Sequence, residues 1–361
     1  VIKSKNVRFL FSSFLVGSLT LAACGSGESE GSDGTASPTT VEIEGSATSC
    51  LTGEPISDRP IQIATTVAPI TSIIANIAGG SGAKITGIVP EGTNSHTFEP
   101  QPSAAAVLSD ADVVFINGLM LEEPTKELAL ANLTAGANLC EMGDHILDPS
   151  GWLYDFSFPE EDGMPNPHLW TNPSMGKQYA ELARDVLSLR DPANADLYQR
   201  NFEAFAAKID AMDEAVRIAT ATIPQDQRQL LTYHDAYAYF AETYGWTVIG
   251  AIEPSTFDEP TARDVADLIE QVRATGVKAI FGSEVFPSNV LAQIGAETGV
   301  RYIDELRDDD LPGAPGDPEH SWLALMRFNF ITMVEALGGD ASALNTLDVD
   351  DVTPDTAFYP Q

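Results

Sequence analysis

The groups able to do chemistry in this chain are imidazoles and carboxylates set in turn-rich segments. Of five histidines, three fall in such segments: His96 in GTNSHTFEPQPS (92–103), His168 in NPHLWTNP (166–173) and His234 in TYHDAYAYF (232–240). Neutral imidazole suits zinc and other late transition metals, and a carboxylate completes four-coordination. His145 and His320 lie in polar stretches and read as surface residues, with His320 alternatively capping a helix that opens near Ser321.

The elements around these segments alternate strand and helix. Apolar runs predict strands at Ile61–Thr66, Lys84–Val89 and Asp112–Asn117, with helices at Pro69–Ala78, Pro102–Leu108 and Pro124–Asn132 between and after them. A second series begins at Arg228, with strands at Leu230–Tyr233, Thr247–Ile252, Lys278–Gly282 and Arg301–Ile303. Its helices are Ala236–Tyr244, Thr261–Ala274, Ser288–Thr298 and Trp322–Leu337. This alternation predicts an α/β fold of two lobes, each a mostly parallel sheet flanked by helices. Between them, residues 173–222 show apolar spacing near 3.6, with Leu182, Val186 and Phe202, Phe205, Ile209 on shared stripes. One long rigid linking helix, or two in series, is expected there. The domain plan is therefore 59–172 for the first lobe, 173–222 for the link and 223–361 for the second lobe. In open α/β sheets ligands bind beyond the carboxyl ends of strands, where His96 and His234 are expected. The segment 149–166 (PSGWLYDFSFPEEDGMPN) reads as a surface loop or lid.

The first residues, VIKSKNVRFLFSSFLVGSLTLAAC, combine a basic start (Lys3, Lys5, Arg8) with an apolar run to Leu21 that is short for a membrane span. Leu21, Ala22, Ala23 and Cys24 match a bacterial lipobox, which makes 1–23 a lipoprotein signal and Cys24 the lipidated residue. Residues 24–58, rich in Gly, Ser, Thr and acids, read as a flexible tether. Cys50 and Cys140 are the remaining cysteines. Outside the cytoplasm they form a disulfide candidate, worth roughly 4 kcal/mol in the chain-entropy account of a long loop; two buried thiols are the alternative.

The three histidine segments resemble the metal-binding cluster of solute-binding proteins of zinc/manganese ABC importers, with patterns close to D-P-H-[TS]-[YF]-E-P-x-P-S, D-P-H-x-W-L-D-P and T-S-H-D-A-F-x-Y-F. The match runs in order from about residue 60 to 338. The resemblance implies two α/β lobes joined by a long helix, ligands His96, His168 and His234, and a fourth ligand at Asp309, with Asp308, Asp310 and Glu284 as rivals. It also implies a membrane permease as partner, a monomer, and Zn2+ or, second, Mn2+ as transported ligand. Asn94, Asn166 and Asn172 stand where the family often carries acids, which predicts less basic imidazoles. The His-rich loop of zinc-specific members is replaced by the acidic, aromatic segment 149–166.

Composition narrows the alternatives. With 53 Asp+Glu against 19 Lys+Arg the net charge is −34, which argues against nucleic acid as a partner. Loss of residues 1–23 removes three cations and no acids, taking −34 to −37. A secreted zinc hydrolase, with Glu99, Asp235 or Glu284 as base, and a surface adhesion lipoprotein are the competing functions. The binding reading requires no catalysis, and the chain carries no Walker A motif.

Overall fold

The computed structural model describes residues 49–253, 255–257, 261–285 and 289–361. The signal sequence, Cys24 and the tether up to residue 48 lie outside the described residues. No helix among the described residues is long and apolar enough to cross a membrane.

The first series builds β1 (Gln62–Thr65), α1 (Ala68–Ala78), β2 (Lys84–Gly87), α2 (Ala104–Asp110), β3 (Val113–Ile116), α3 (Glu123–Asn132), β4 (Asn138–Glu141) and the short α4 (Met142–Ile146). Its four strands pair in parallel in the order β2-β1-β3-β4. β3, with the sequence VVFI, is buried along its whole length, as a central strand covered on both faces must be. Next come α5 (Pro173–Arg190) and α6 (Ala195–Ala221). The second series gives β5 (Gln229–Thr232), α7 (Ala238–Tyr244), β6 (Thr247–Ala251), α8 (Ala262–Thr275), β7 (Ala279–Phe281), α9 (Asn289–Thr298) and β8 (Arg301–Ile303), followed by α10 (Trp322–Ala336) and α11 (Ser342–Asn345). Its sheet is also parallel, in the matching order β6-β5-β7-β8.

The link differs from a single rod. Asp191, with φ −131° and ψ 70°, ends α5 ahead of Pro192, whose ring cannot continue a helix. α6 then folds back along α5: Lys177 pairs with Asp210 at 2.7 Å, and the Arg184 guanidinium lies 4.6 Å from the Phe202 ring centre. The spanning member is α6 alone, 27 residues and about 40 Å long. α10 packs on α5 where Gly176 leaves room; a Cβ there would lie 2.4 Å from the Trp322 indole.

One apolar cluster joins the two lobes through these helices, running from Ile63 and Phe115 of the first sheet through Tyr179, Phe205 and Met212 to Phe240, Phe281 and Phe330. A smaller cluster fills the outer face of each sheet, around Val114 and Leu139 in the first and Leu231 and Ile280 in the second. The lobes thus share a central core.

Two boundaries move. The chain end returns to the first sheet: Phe358 bridges Thr86, accepts from Gly87 N at 2.9 Å and donates to Ile85 O at 3.0 Å. The span 223–361 is therefore not wholly second lobe, because the last strand-like residues complete the edge at β2. The segment from residue 50 to 58, expected as tether, is fastened to the fold. Cys50 is disulfide-bonded to Cys140 of β4 with Cα atoms 4.3 Å apart, and Ile56 N donates to Arg190 O.

Candidate metal centre

Each of the three histidines is aimed by its own local turn. His96 lies on the loop after β2, where Asn94 Oδ1 accepts its main-chain N–H at 2.9 Å. His168 precedes α5, and Asn166 Oδ1 accepts both its main-chain N–H at 3.1 Å and its ring Nδ1–H at 2.8 Å. Asn172 caps α5 by accepting from Ser174 N, and its amide donates to Tyr239 O and Thr243 Oγ1. The three asparagines thus position the site by neutral hydrogen bonds. His234 follows β5, with Nδ1 bonded to the carboxylate of Glu253, which lies just beyond β6.

Occupied Nδ1 atoms on His168 and His234 leave Nε2 as the lone-pair atom of each ring. The Nε2 atoms converge: His168 to His234 2.9 Å, His96 to His168 3.2 Å and His96 to His234 3.2 Å. Nitrogens at Zn–N distances around a tetrahedral ion stand about 3.4 Å apart, so this triangle has the size of one face of a metal polyhedron. His168 and His234 are buried. His96, half-buried, has no ring hydrogen bond at Nδ1 among the described contacts; its ring stacks on Phe257 at 4.6 Å and 13°.

The carboxylate loop follows β8. Glu284 Oε1, just past β7, accepts the main-chain N–H of Asp308, Asp309 and Asp310 at 2.8, 3.1 and 3.1 Å. The Trp170 indole donates to Asp308 O at 2.7 Å, and the Trp322 indole donates to Trp170 O at 3.0 Å. Asp309 Oδ2 accepts from Ser95 Oγ at 2.7 Å, while its buried Oδ1 has no hydrogen-bond partner. Asp308 Oδ2 is also without one and lies 3.1 Å from His234 Nε2. Donor atoms of His168, Asp308 and Asp309 lie within 4.8 Å of one another, as do those of the three histidines. Asp310 is turned away, accepting from Gly92 N at 2.7 Å. Of the three rivals to Asp309 that the sequence offers, only Asp308 faces the centre.

The electrostatics ask for a positive charge. Burial and the neighbouring His234 lower the His96 pKa, and burial with both other rings does the same for His168. Burial pulls His234 down, but the Glu253 bond and the charges of Glu253, Asp309 and Asp235 together leave it raised. Burial lifts Asp309 to about 6 against the pull of His234 and Ser95, and raises Asp308 well above the usual carboxylate range with help from Glu284 and Asp309. A cation at the centre would favour the ionised carboxylates and the neutral imidazoles, the forms that can act as ligands.

Beside His96 lies a cavity of about 50 Å³ lined by Leu119, Met120, Phe158, Met164 and Phe257. Leu119, Met120 and Phe257 are the non-glycine residues with left-handed φ (51°, 64° and 56°) among the described residues. Such strain gathers at functional sites. Phe158 and Met164 come from the loop 149–166, which forms part of this collar.

Sequence reading missed several partners. Glu253 stands 19 residues from the histidine it orients, and no local pattern marks it. Glu122, buried between the ends of β1 and β3, accepts from Thr66 Oγ1 at 2.6 Å, Asn117 N and Gly118 N. His320 corrects the surface assignment: it is 3 % exposed, its Nε2 meets Glu91 Oε1 at 3.0 Å, and its ring packs edge-on to Tyr359. The cap of α10 is the Ser321 hydroxyl. His145 is exposed on α4. The bases a hydrolase would need are committed elsewhere or remote: Glu284 to the carboxylate loop, Asp235 to Ser157 N, and Glu99 exposed in the loop after β2.

Residues 63–336 match the family described as zinc-uptake complex component A, periplasmic. The manganese-binding lipoprotein MntA of Halalkalibacterium halodurans is 29% identical over 286 residues, 79% of this chain and 91% of that protein. The iron-binding protein YfeA of Yersinia pestis is 28% identical over 287 residues, 78% of this chain and 87% of its own length. Among solved structures, a manganese-bound point mutant of the periplasmic metal-binding protein of Candidatus Liberibacter asiaticus aligns with TM-score 0.67 and 25% identity, over 77% of this chain and 100% of that one. The periplasmic zinc-binding protein TroA of Treponema pallidum shares the fold, with TM-score 0.69 at 24% identity over 77% and 99% of the two chains. The matching sheets, the histidine cluster between them and these likenesses lead to one conclusion: the chain belongs to the zinc-uptake component A family of metal-importer substrate-binding proteins, a transport family and not an enzymatic one.

Proposed function

We propose that the protein captures one divalent transition metal ion through His96, His168, His234 and Asp309 and delivers it to the permease of an ABC importer. The observation that carries this reading is the triangle of Nε2 atoms at 2.9–3.2 Å facing buried carboxylate oxygens that lack hydrogen bonds. Zinc is the first choice, because three imidazoles and one carboxylate match its tetrahedral habit; manganese is second. The protein acts as a monomer, tethered outside the cytoplasm by a lipid on Cys24. Two acyl chains there would hold it far more firmly than one.

Metal analysis with calorimetric titration of residues 24–361 tests this. One tightly bound Zn2+ or Mn2+ per chain is expected, with affinity lost in His96→Ala, His168→Ala and His234→Ala. Unaltered stoichiometry in all three variants overturns the assignment. Hydrolysis of model esters by the purified protein, abolished in His234→Ala, would instead support the hydrolase reading.

A further inference from the structure

We propose that Asp308 is a fifth donor to the bound ion, so that the centre offers three imidazoles and two carboxylates; this rests on the metal-binding reading above. Four observations carry it. Asp308 is 2 % exposed, so its carboxylate is removed from water. Its Oδ2 receives no hydrogen bond. That same atom stands 3.1 Å from His234 Nε2, the spacing the imidazole nitrogens keep among themselves. And the ligand atoms of Asp308, Asp309 and His168 fall within one 4.8 Å group.

The main chain around Asp308 explains why the side chain is available. Its N–H is taken by Glu284 and its carbonyl by the Trp170 indole, so the loop holds its shape without Oδ2. Asp309 is arranged differently, one oxygen held by Ser95 and the other presented inward. Two carboxylates from one loop would therefore reach the ion beside the imidazole triangle. A buried anionic oxygen with no donor is costly in an apolar setting unless a cation answers it.

The consequence concerns which metal is held. Zinc is at home with four ligands, whereas hard carboxylate oxygens and a larger ligand set suit manganese. Asp308 thus acts as a specificity-determining residue that narrows the advantage three imidazoles give to zinc.

The test uses Co2+, Zn2+ and Mn2+ loaded separately into the wild-type protein and into Asp308→Asn, which keeps the side-chain shape. Wild-type protein loaded with Co2+ should show the weak visible bands of a five-coordinate ion, and Asp308→Asn the intense bands of a tetrahedral one. The variant should still bind one Zn2+ per chain, while its Mn2+ affinity falls at least about tenfold relative to zinc. An intense tetrahedral spectrum in the wild-type protein overturns the proposal without reference to any variant. So does an unchanged manganese-to-zinc ratio in Asp308→Asn. Asp309→Ala and His168→Ala separate the two levels. If they abolish binding and Asp308→Asn changes nothing, only the fifth donor falls. If they too bind normally, the metal site itself is refuted.

Discussion

A single oxygen of Glu284 lies 2.8 Å from the main-chain nitrogen of Asp308 and collects the next two N–H groups of the same loop as well. The carboxylate loop is thereby wound around one side chain. Order in the Asp308 and Asp309 carboxylates is inherited from the end of β7.

Replacing Glu284 by Ala should leave three main-chain donors without their acceptor. A loss of about 1–3 kcal/mol in stability is expected, with metal affinity lowered about 10–100-fold. Glu284→Gln retains a carbonyl oxygen and should recover most of both. Urea unfolding and competition with a chelator measure the two effects, and equal behaviour of Ala and Gln would contradict the role.

The pH dependence of the metal-free protein should carry the mark of Glu122. Burial, aided by the charge of Asp309, lifts its carboxyl from 4.5 to about 7, despite the three donors that favour the ionised form. The folded state then holds a proton that the unfolded chain releases above pH 4.5. The resulting stabilisation is complete below about 4.5 and is lost as pH rises toward about 7, a change of about 3 kcal/mol. Unfolding measured from about pH 4.5 to about pH 7.5 should show a falling contribution in the wild type that Glu122→Gln lacks. Parallel curves would rule it out.

The Cys50–Cys140 bond closes a loop spanning 90 positions. Reduction, or Cys50→Ser with Cys140→Ser, should lower stability by about 2–4 kcal/mol. The metal stoichiometry should persist at temperatures where the variant remains folded. Thermal unfolding with and without reductant gives the comparison, and coincident curves would show that the bond does not stabilise the fold.

Phe257 stacks on His96, the one of the three clustered imidazoles whose Nδ1 lacks a polar anchor among the described contacts. Phe257→Ala removes a stacked pair worth about 0.5–1.5 kcal/mol, so metal should leave roughly 3–10 times faster. Stopped-flow release into a chelator reads this directly. An unchanged off-rate would mean that the loop around His96 is stiff enough alone.

Much of this architecture is legible in residue order. Fully apolar runs such as VVFI at 113–116 announce buried parallel strands, and the segments of His96 and His234 mark where loops leave the sheets. β4 is not legible, because Asn138, Leu139, Cys140 and Glu141 show neither a full apolar run nor alternation. The turn between α5 and α6 hides behind continuous helical spacing broken only at Pro192. Pairings such as Glu253 with His234, or His320 with Glu91 across 229 positions, depend on how the elements pack, and local patterns do not encode that. That Asp308 and Asp309 turn toward the histidines while Asp310 turns to Gly92, in a run of three identical residues, is likewise fixed by three dimensions alone.

The return of Phe358 to the edge of β2 has a mechanical consequence. The second sheet is spliced into the first lobe, entered through α6 and left through the segment leading to α10. Two covalent crossings restrain swivelling in a way that one would not, and the shared core stiffens both. An ion held between the sheets would then exchange through side chains and short loops, with the halves kept in register like the jaws of a clamp riveted at two points.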